Sequence, residues 1–478
     1  MKERRDKTVR KTKIVCTIGP ASESPEMIEK LCRAGMNVAR LNFSHGTHEI
    51  HKKRIEIIKE VRERLQIPVA ILLDTKGPEF RIKTFAEGKI SLKAGATFTF
   101  YAKDVVGDEK GVSVNFEGLA SHVTLGDHIL VNNGLMEFLV KEIDGDDVVC
   151  EALTDGELSN RKSMNFPGKI MCSQYLSDQD REDILFGIKN DVDFVACSFV
   201  SCAEDLVEVK NFMAQNSGSD IELIAKIENQ PGIDNLESIF KECSGVMIGR
   251  GDMGVEIAPE RLPAVQKKII EKCRRLGKRV ITATEMLESM ITSPRPTRAE
   301  VSDVANAVYD GSSAVMLSGE TAAGKYPEQA VKMMAAIAEA TEKEIHYEER
   351  FHNYSFQLKN IVDCISHAVC GMAIDVEAKT IVVCSMSGVS VRMVSRFRPP
   401  VNIVGLTTNE KVYRRLALSW GVTPALCERF DSSDVLFYYA QKTAEKIMNL
   451  KKGDNLVIAG GMTPGVSGRT NLIKISTI

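Results

Sequence analysis

A lysine and a glutamate stand two apart inside the apolar run LIAKIENQ, residues 223–230. In an extended strand this spacing turns Lys226 and Glu228 to one face and Ile227 to the other. A structural ion pair at a strand end is one account of them. The next apolar run, GVMIGRGD, closes on Asp252 and strengthens a second account. Two carboxylates from neighbouring strands, with a lysine beside them, can hold a hard divalent cation and an anionic ligand together. Mg2+ commonly takes one or two carboxylates and completes its octahedron with phosphate oxygens and water. Upstream, Arg40 ends VARLN, Asn42 and Ser44 follow, and Asp74 and Thr75 end VAILLDT. These supply neutral and anionic oxygens suited to a cation weaker than Mg2+. Thr284 in TATEM and Ser318 in LSGET complete the set of polar endings.

Other motifs carry less. GRGDMG, residues 249–254, matches G-x-G-x-x-G after a strand, but a dinucleotide fingerprint must open a helix at once. Here VEIAPERLP follows, and Pro259 and Pro263 are expected to delay the helix, leaving the glycine amides for a carboxylate or phosphate. His45, His48 and His51 suggest zinc, but their spacing at a helix opening reads as solvated histidines. SPRPTRAE contains a capping box, Thr297 with Glu300, that starts a helix. Thr284 gains interest only from its position, because a strand threonine is ordinarily a packing residue. SMSGVS, residues 385–390, follows a strand and precedes a helix. Its hydroxyls and amides could cradle a phosphate or form a plain N-cap.

Something must bring these residues together. Eight apolar runs recur: KIVCTIG from 13, VARLNFS from 38, VAILLDT from 69, FVACSFV from 194, LIAKIEN from 223, GVMIGRGD from 245, VITATEM from 280 and AVMLSGET from 314. Continuous apolar strands imply burial on both faces. Helical-period segments such as SPEMIEKLCRAG and RLPAVQKKIIEKCRRLG alternate with them. The pattern predicts a (β/α)8 TIM barrel, with chemistry at the C-terminal ends of its strands. The long gap after the third strand changes to alternating runs broken by Gly, Asp and Asn, and predicts an inserted small β-barrel domain over 77–173. An insertion there emerges on the catalytic face and can act as a lid. The barrel then spans 1–76 and 174–345. Residues 346–478 read as an open α/β domain with further helices and a final strand pair.

Composition sets limits on partners and compartment. The 478 residues suggest about three domains. Charge is nearly balanced, 62 Lys and Arg against 65 Asp and Glu, so no global field favours nucleic acid or a membrane, and an anionic ligand must meet local cations. No run approaches transmembrane length, and the apolar stretch after the basic first residues is too short for a signal peptide. Twelve cysteines without a CxxC pair suggest reduced thiols and the cytoplasm. Five of them (Cys16, Cys150, Cys172, Cys197, Cys384) lie in strand-like runs as small core residues.

These residues together resemble the pyruvate kinase family. The likeness runs from TKIVCTIGPAS to GRTNLIKI and includes MNVARLNFSHGTHE, LLDTKGPE, AKIEN, GRGDMGVE, ESMITSPRPTRAE, DVANAVYDG and MLSGET. The resemblance implies a barrel, a β-barrel lid, a C-terminal regulatory domain and phosphoryl transfer from phosphoenolpyruvate to ADP. It implies Arg40 and Lys226 on the transferring phosphoryl group, and Glu228 and Asp252 on Mg2+ (or Mn2+). It implies Asn42, Ser44, Asp74 and Thr75 on K+, with Glu79 matching potassium-requiring members. Gly251, Asp252 and Thr284 match the substrate-carboxylate pocket, Thr284 also a proton relay, and His45 and Arg81 nucleotide-side positions. A second Mg2+ would arrive with ADP. Ser385, Ser387, Gly388, Ser390 and Gly468 resemble an effector pocket for a sugar phosphate or nucleotide, and the family implies a homotetramer. Departures are Glu285 where Gln is usual, Gln179 where many members carry Lys, Ser201 where Arg is usual, and Met386 where some effector-binding members carry a basic residue. The rival readings are a barrel lyase or mutase acting through an Mg2+-bound enolate, and an inactive effector-binding protein.

Overall fold

The computed structural model describes residues 9–116, 118–169, 171, 174–461 and 470–478. The eight apolar runs form eight parallel strands: Lys13–Thr17, Val38–Asn42, Ala70–Asp74, Phe194–Cys197, Glu222–Ile227, Gly245–Gly249, Arg279–Ala283 and Ala314–Leu317. They pair in cyclic order and close into a barrel. Nearly every strand residue is buried, since one face packs on the outer helices and the other on the barrel interior. Local signals set the helix ends. Ser24 accepts from the Met27 amide at 3.2 Å to start the helix Pro25–Ala34. Thr297 and Glu300 form the expected reciprocal box. Register then aligns the polar endings: Asn42 lies opposite Asp74, and Asp74 opposite Ala196.

The insertion leaves the barrel after the third strand through Gly77, whose φ of +66° and close approach to Ser198 leave no room for a side chain. It builds a seven-stranded sheet around Phe98, Phe100 and Phe138. Its outer strands, Phe80–Arg81 and Gly111–Ser113, are joined through an Ile82–Val114 bridge, which curls the sheet toward closure. The third unit is a five-stranded sheet in the order Val422–Leu426, Asn402–Thr407, Thr380–Cys384, Asn455–Gly461, Thr470–Thr477, parallel except for the last pair. The strand Val422–Leu426 corrects the expectation of helices alone between Thr407 and the final pair. Its Pro424 hides the strand in sequence and is tolerated because the strand lies at the sheet edge. Leu418, from this third unit, enters the barrel's inner core.

A second correction concerns GRGDMG. A helix, Arg250–Glu256, opens directly at the end of the sixth barrel strand. Pro259 lies beyond it in a 3-10 turn, and Pro263 sits in the first turn of Leu262–Leu276, where proline costs nothing. The dinucleotide reading fails instead because the sheet is a closed barrel with no switch point. Cys16, Cys150, Cys197 and Cys384 are free thiols buried in strands, and Cys172 lies outside the described residues.

Candidate active site

Lys226 is the hub of the barrel mouth. Its buried Nζ lies 3.1 Å from Asp74 Oδ1 and 3.2 Å from Glu228 Oε1, and donates to Ser198 Oγ at 2.7 Å. Arg40 approaches Asp74 from the other side, with Nε to Oδ2 at 2.5 Å, and donates to Thr17 Oγ1 at 2.9 Å. Burial alone would raise the Asp74 carboxyl, but Arg40 and Lys226 override it and hold Asp74 below the usual carboxylate range. Burial likewise works against a charged Lys226, and Asp74 with Glu228 overcomes it to raise its pKa. Glu228 differs. Burial pushes its carboxyl up to about 7, Lys226 opposes the rise and Asp252 adds to it. The site therefore holds a carboxylate at the edge of ionisation, which a cation would stabilise in its charged form.

The backbone beside this carboxylate is closely packed. A Cβ at Gly249 would stand 2.5 Å from Glu228 Oε1, so only glycine lets the sixth strand pass this carboxylate. Asp252 stands on the short helix beyond Gly249 rather than at the strand end, and is exposed at the mouth. The surrounding protein still raises its carboxyl, with Lys226 opposing and Glu79 and Asp74 adding. A cavity of about 70 Å3 between lid and barrel is lined by Glu79, Lys169, Tyr175, Asp252 and Glu256. Asn165 of the lid donates to Glu256 across it at 3.1 Å.

Thr284 sits in strained backbone. It and Glu285 have φ of +69° and +54°, a conformation that costs about 1–3 kcal/mol per non-glycine residue. Buried Arg250 holds the turn, donating from Nη2 to Thr284 O at 2.6 Å and from Nε to the same oxygen at 3.2 Å. Asp303, 2.6 Å from its Nη1, fixes the guanidinium. The Gly251 amide donates to Thr284 Oγ1 at 2.8 Å, and that hydroxyl donates to Ala283 O at 2.6 Å. Gly251, Asp252 and Thr284 are thus gathered at one edge of the mouth.

The upstream set is only partly drawn in. Asn42 Oδ1 accepts from the Ser44 amide at 3.1 Å, and Thr75 Oγ1 donates to Ala196 O at 3.2 Å. Ser44 and His45 are exposed on the rim. Arg81 lies in the lid, paired with Glu79. Among the described residues no hydrogen bond or ion pair joins His45 or Arg81 to the Lys226 group. Ser318 stands apart, its amide donating to Glu320 at 2.7 Å. The three histidines diverge: His51 stacks on Phe43, and His48 Nε2 lies 2.6 Å from Asp183, which also accepts from Gln179. Among the described residues no group of three or more His, Cys, Asp and Glu side chains could hold a metal ion. Ser201 bonds locally to Phe199 O and Asn229, and Glu285 is exposed. In the third unit Ser385 Oγ accepts from the Gly388 amide at 3.0 Å, and Ser390 Oγ lies 2.5 Å from Thr470 Oγ1. Ser387 is half-buried beside them, and Gly468 lies outside the described residues.

Three contributors are not legible in the sequence. Ser198 joins Lys226, Asp74 Oδ1 at 3.2 Å and Thr75 O at 2.7 Å. The Phe199 amide donates to Glu228 Oε2 at 2.9 Å from a residue with φ of +55°. Nothing in CSFVS signals that geometry. The third is Arg250, whose motif GRGDMG points through its spacing to the glycines instead.

A lidded (β/α)8 barrel whose mouth joins Arg40, Lys226 and a carboxylate pair defines a barrel enzyme for anionic substrates. Comparison makes the class particular. Residues 9–331 match the family model described as pyruvate kinase, barrel domain, and residues 363–476 that of the pyruvate kinase alpha/beta domain. A pyruvate kinase of Staphylococcus epidermidis is 46% identical over 98% of this chain and 81% of its own length, and one of Staphylococcus aureus strain MRSA252 is 47% identical with the same coverage. The crystal structure of a pyruvate kinase from Cryptosporidium parvum superposes with a TM-score of 0.93 at 38% identity, covering 98% of this chain and 96% of that one. The chain belongs to the pyruvate kinase family, and is a phosphotransferase enzyme.

Proposed function

We propose that this chain transfers the phosphoryl group of phosphoenolpyruvate to ADP, giving pyruvate and ATP, with Lys226 and Arg40 on the phosphoryl oxygens. The observation that carries the reading is the position of Lys226 Nζ between Asp74 and Glu228 in the barrel mouth. Two mutually repelling anions react only where fixed positive charge neutralises the transferring group, so the transfer depends on positioning and electrostatics. A terminal ADP oxygen forms the new P–O bond as the bond to the enol oxygen breaks. The electron pair moves through the enolate to its terminal carbon, which takes a proton. Thr284 Oγ1, between the Gly251 amide and Ala283 O, is our candidate for the relay of that proton.

Glu228 and Asp252 are assigned to Mg2+ (or Mn2+), and the fit is supported by the raised carboxyls of both, which a bound cation would hold in their charged forms. When bound, the ion neutralises phosphoryl and enolate oxygens. A second Mg2+ would arrive with ADP. Gly251, Asp252 and Thr284 are assigned to the substrate carboxylate, Arg81 and His45 to the nucleotide side, and Asn42, Ser44, Asp74 and Thr75 to K+. Family membership also supports a homotetramer in the cytoplasm, regulation through Ser385, Ser387, Gly388 and Ser390, and working units at 1–76 with 174–345, 77–173 and 346–478. No helix among the described residues is long and apolar enough to cross a membrane.

The test is a lactate-dehydrogenase-coupled assay with phosphoenolpyruvate, run with and without ADP. Pyruvate formed only with ADP supports transfer, and equal turnover without ADP would establish the lyase or mutase reading instead. Repeating it with tetramethylammonium in place of K+ should abolish most of the rate; full activity there removes the K+ assignment.

A further inference from the structure

The underside of the barrel, opposite the catalytic mouth, meets the third unit along a seam that is rich in positive charge. Gly277 ends the helix Leu262–Leu276 with φ of +68°, and a Cβ there would clash with Met393 of the third unit. That close approach sets the helix Val389–Ser395 beside the start of the seventh barrel strand. Between them lies a cavity of about 420 Å3, lined by Lys210, Lys241, Lys278 and Arg392 with Glu222 and Glu242. It adjoins a small crevice that shares Lys278 and Arg392 with it and adds four further arginines. Eight cationic side chains line the two together with two carboxylates, and of the eight Arg396 is paired outside them with Asp363 at 3.0 Å, in a chain whose net charge is −3.

Both carboxylates are already engaged. Glu242 lies 2.7 Å from Lys210, and half-buried Glu222 is paired with Arg279, with Arg415 at 3.7 Å. Lys241 makes no ion pair among the described residues. Lys278 donates to Cys243 O at 2.6 Å and has no carboxylate partner among the described residues. Arg392 comes no nearer than 3.8 Å to Glu222, and its buried Nε has no hydrogen-bond partner. Behind them Arg398 has no carboxylate partner among the described residues; its Nη1 donates to Ser395 O at 2.8 Å and its Nη2 to Gly311 O at 2.9 Å, while its buried Nε has no partner there. Burial, then Arg274, depresses its pKa to about 9. Burial depresses Lys278 too, with Arg392 and Lys210 adding to the effect against the Cys243 thiol. Uncompensated positive charge in a partly desolvated cavity costs free energy, and a bound anion removes that cost.

We infer that this seam cavity, between Lys278 and Lys241 of the barrel and Arg392 of the third unit, is a binding site for a small phosphorylated metabolite. The volume lies in the range of small-ligand pockets, and a phosphoryl dianion suits charge-assisted contacts from one arginine and two lysines. Both units contribute ligands, so occupancy ties barrel and third unit together. The site is separate from the SMSGVS loop and from the catalytic mouth.

Crystals of the full chain soaked in tungstate locate the anion, and thermal melts against inorganic phosphate read its binding in wild type, Lys278→Gln and Lys241→Glu. Lys241 is exposed, so its variant folds if the chain does. The expected results are a tungstate peak between Lys278 and Arg392, and a phosphate midpoint raised roughly tenfold in each variant, the loss of one charge-assisted hydrogen bond. Turnover without phosphate stays unchanged in both. A seam empty of tungstate overturns the inference, as does a midpoint within about twofold of wild type in both variants.

Discussion

Replacing Lys226 with methionine removes the central cation of the mouth and keeps most of its volume. Three contacts vanish: Ser198 at 2.7 Å, Asp74 at 3.1 Å and Glu228 at 3.2 Å. Breaking a buried ion pair ordinarily costs about 3–5 kcal/mol because a charge is stranded. Here the cost should be smaller. Asp74 keeps Arg40 at 2.5 Å, and Glu228, already raised to about 7 by burial, can take a proton once Lys226 no longer opposes it. We expect a folded variant destabilised by about 1–2 kcal/mol. Catalysis should suffer far more. One preorganised donor in a water-excluded site is worth about 2.7–4 kcal/mol, or two to three orders of magnitude. Lys226 also keeps Glu228 ionised for the metal, so kcat/KM should fall by roughly three orders of magnitude or more. The coupled assay at pH 8 with saturating Mg2+ and K+ reads the loss, and circular dichroism confirms the fold. At that pH the metal competes with the proton for Glu228, so Mg2+ binding persists. A folded variant within about tenfold of wild type would refute the role.

The raised Glu228 carboxyl also predicts a pH signature. The folded chain keeps a proton here that the unfolded chain releases near the ordinary carboxylate value, so metal-free stability falls as pH rises from about 4.5 to about 7, with the full cost present above. Mg2+ binds the ionised form, so its stabilising shift in Tm should be about twofold larger at pH 8 than at pH 6; an equal or larger shift at pH 6 counts against it. Arg250→Lys cannot hold Thr284 O and Asp303 together through one planar fork, so kcat/KM should drop about 10- to 100-fold in a folded protein. A change under twofold would remove Arg250 as the positioning residue for Thr284. Leu418→Ala opens a cavity in the barrel's inner core and should cost about 3 kcal/mol in urea denaturation. A loss below about 1 kcal/mol would mean that the core closes without it.

Much of the molecule is written in local sequence. The eight apolar runs, the Ser24 and Thr297 caps, the turn-rich insertion and the polar strand endings can be read directly, because burial period and capping act between residues a few positions apart. Barrel topology then sends those endings to a common face, which is why Arg40, Asp74, Lys226 and Glu228 could be grouped from their positions alone. Other features depended on neighbours distant in the chain. Ser198 and the Phe199 amide reach Lys226 and Glu228 because the fourth strand is seated between the third and fifth, and Arg250 meets Thr284 and Asp303 only across strand and helix packing. Val422–Leu426 became a strand because a sheet edge accepts Pro424, and Leu418 became barrel core because the third unit docks beneath it. The cationic seam arises in the same way: Lys278 and Arg392 are unremarkable 114 positions apart in sequence, and acquire their shared, incompletely compensated charge only when folding removes water and brings both to one cavity beside a Glu222 already held by Arg279.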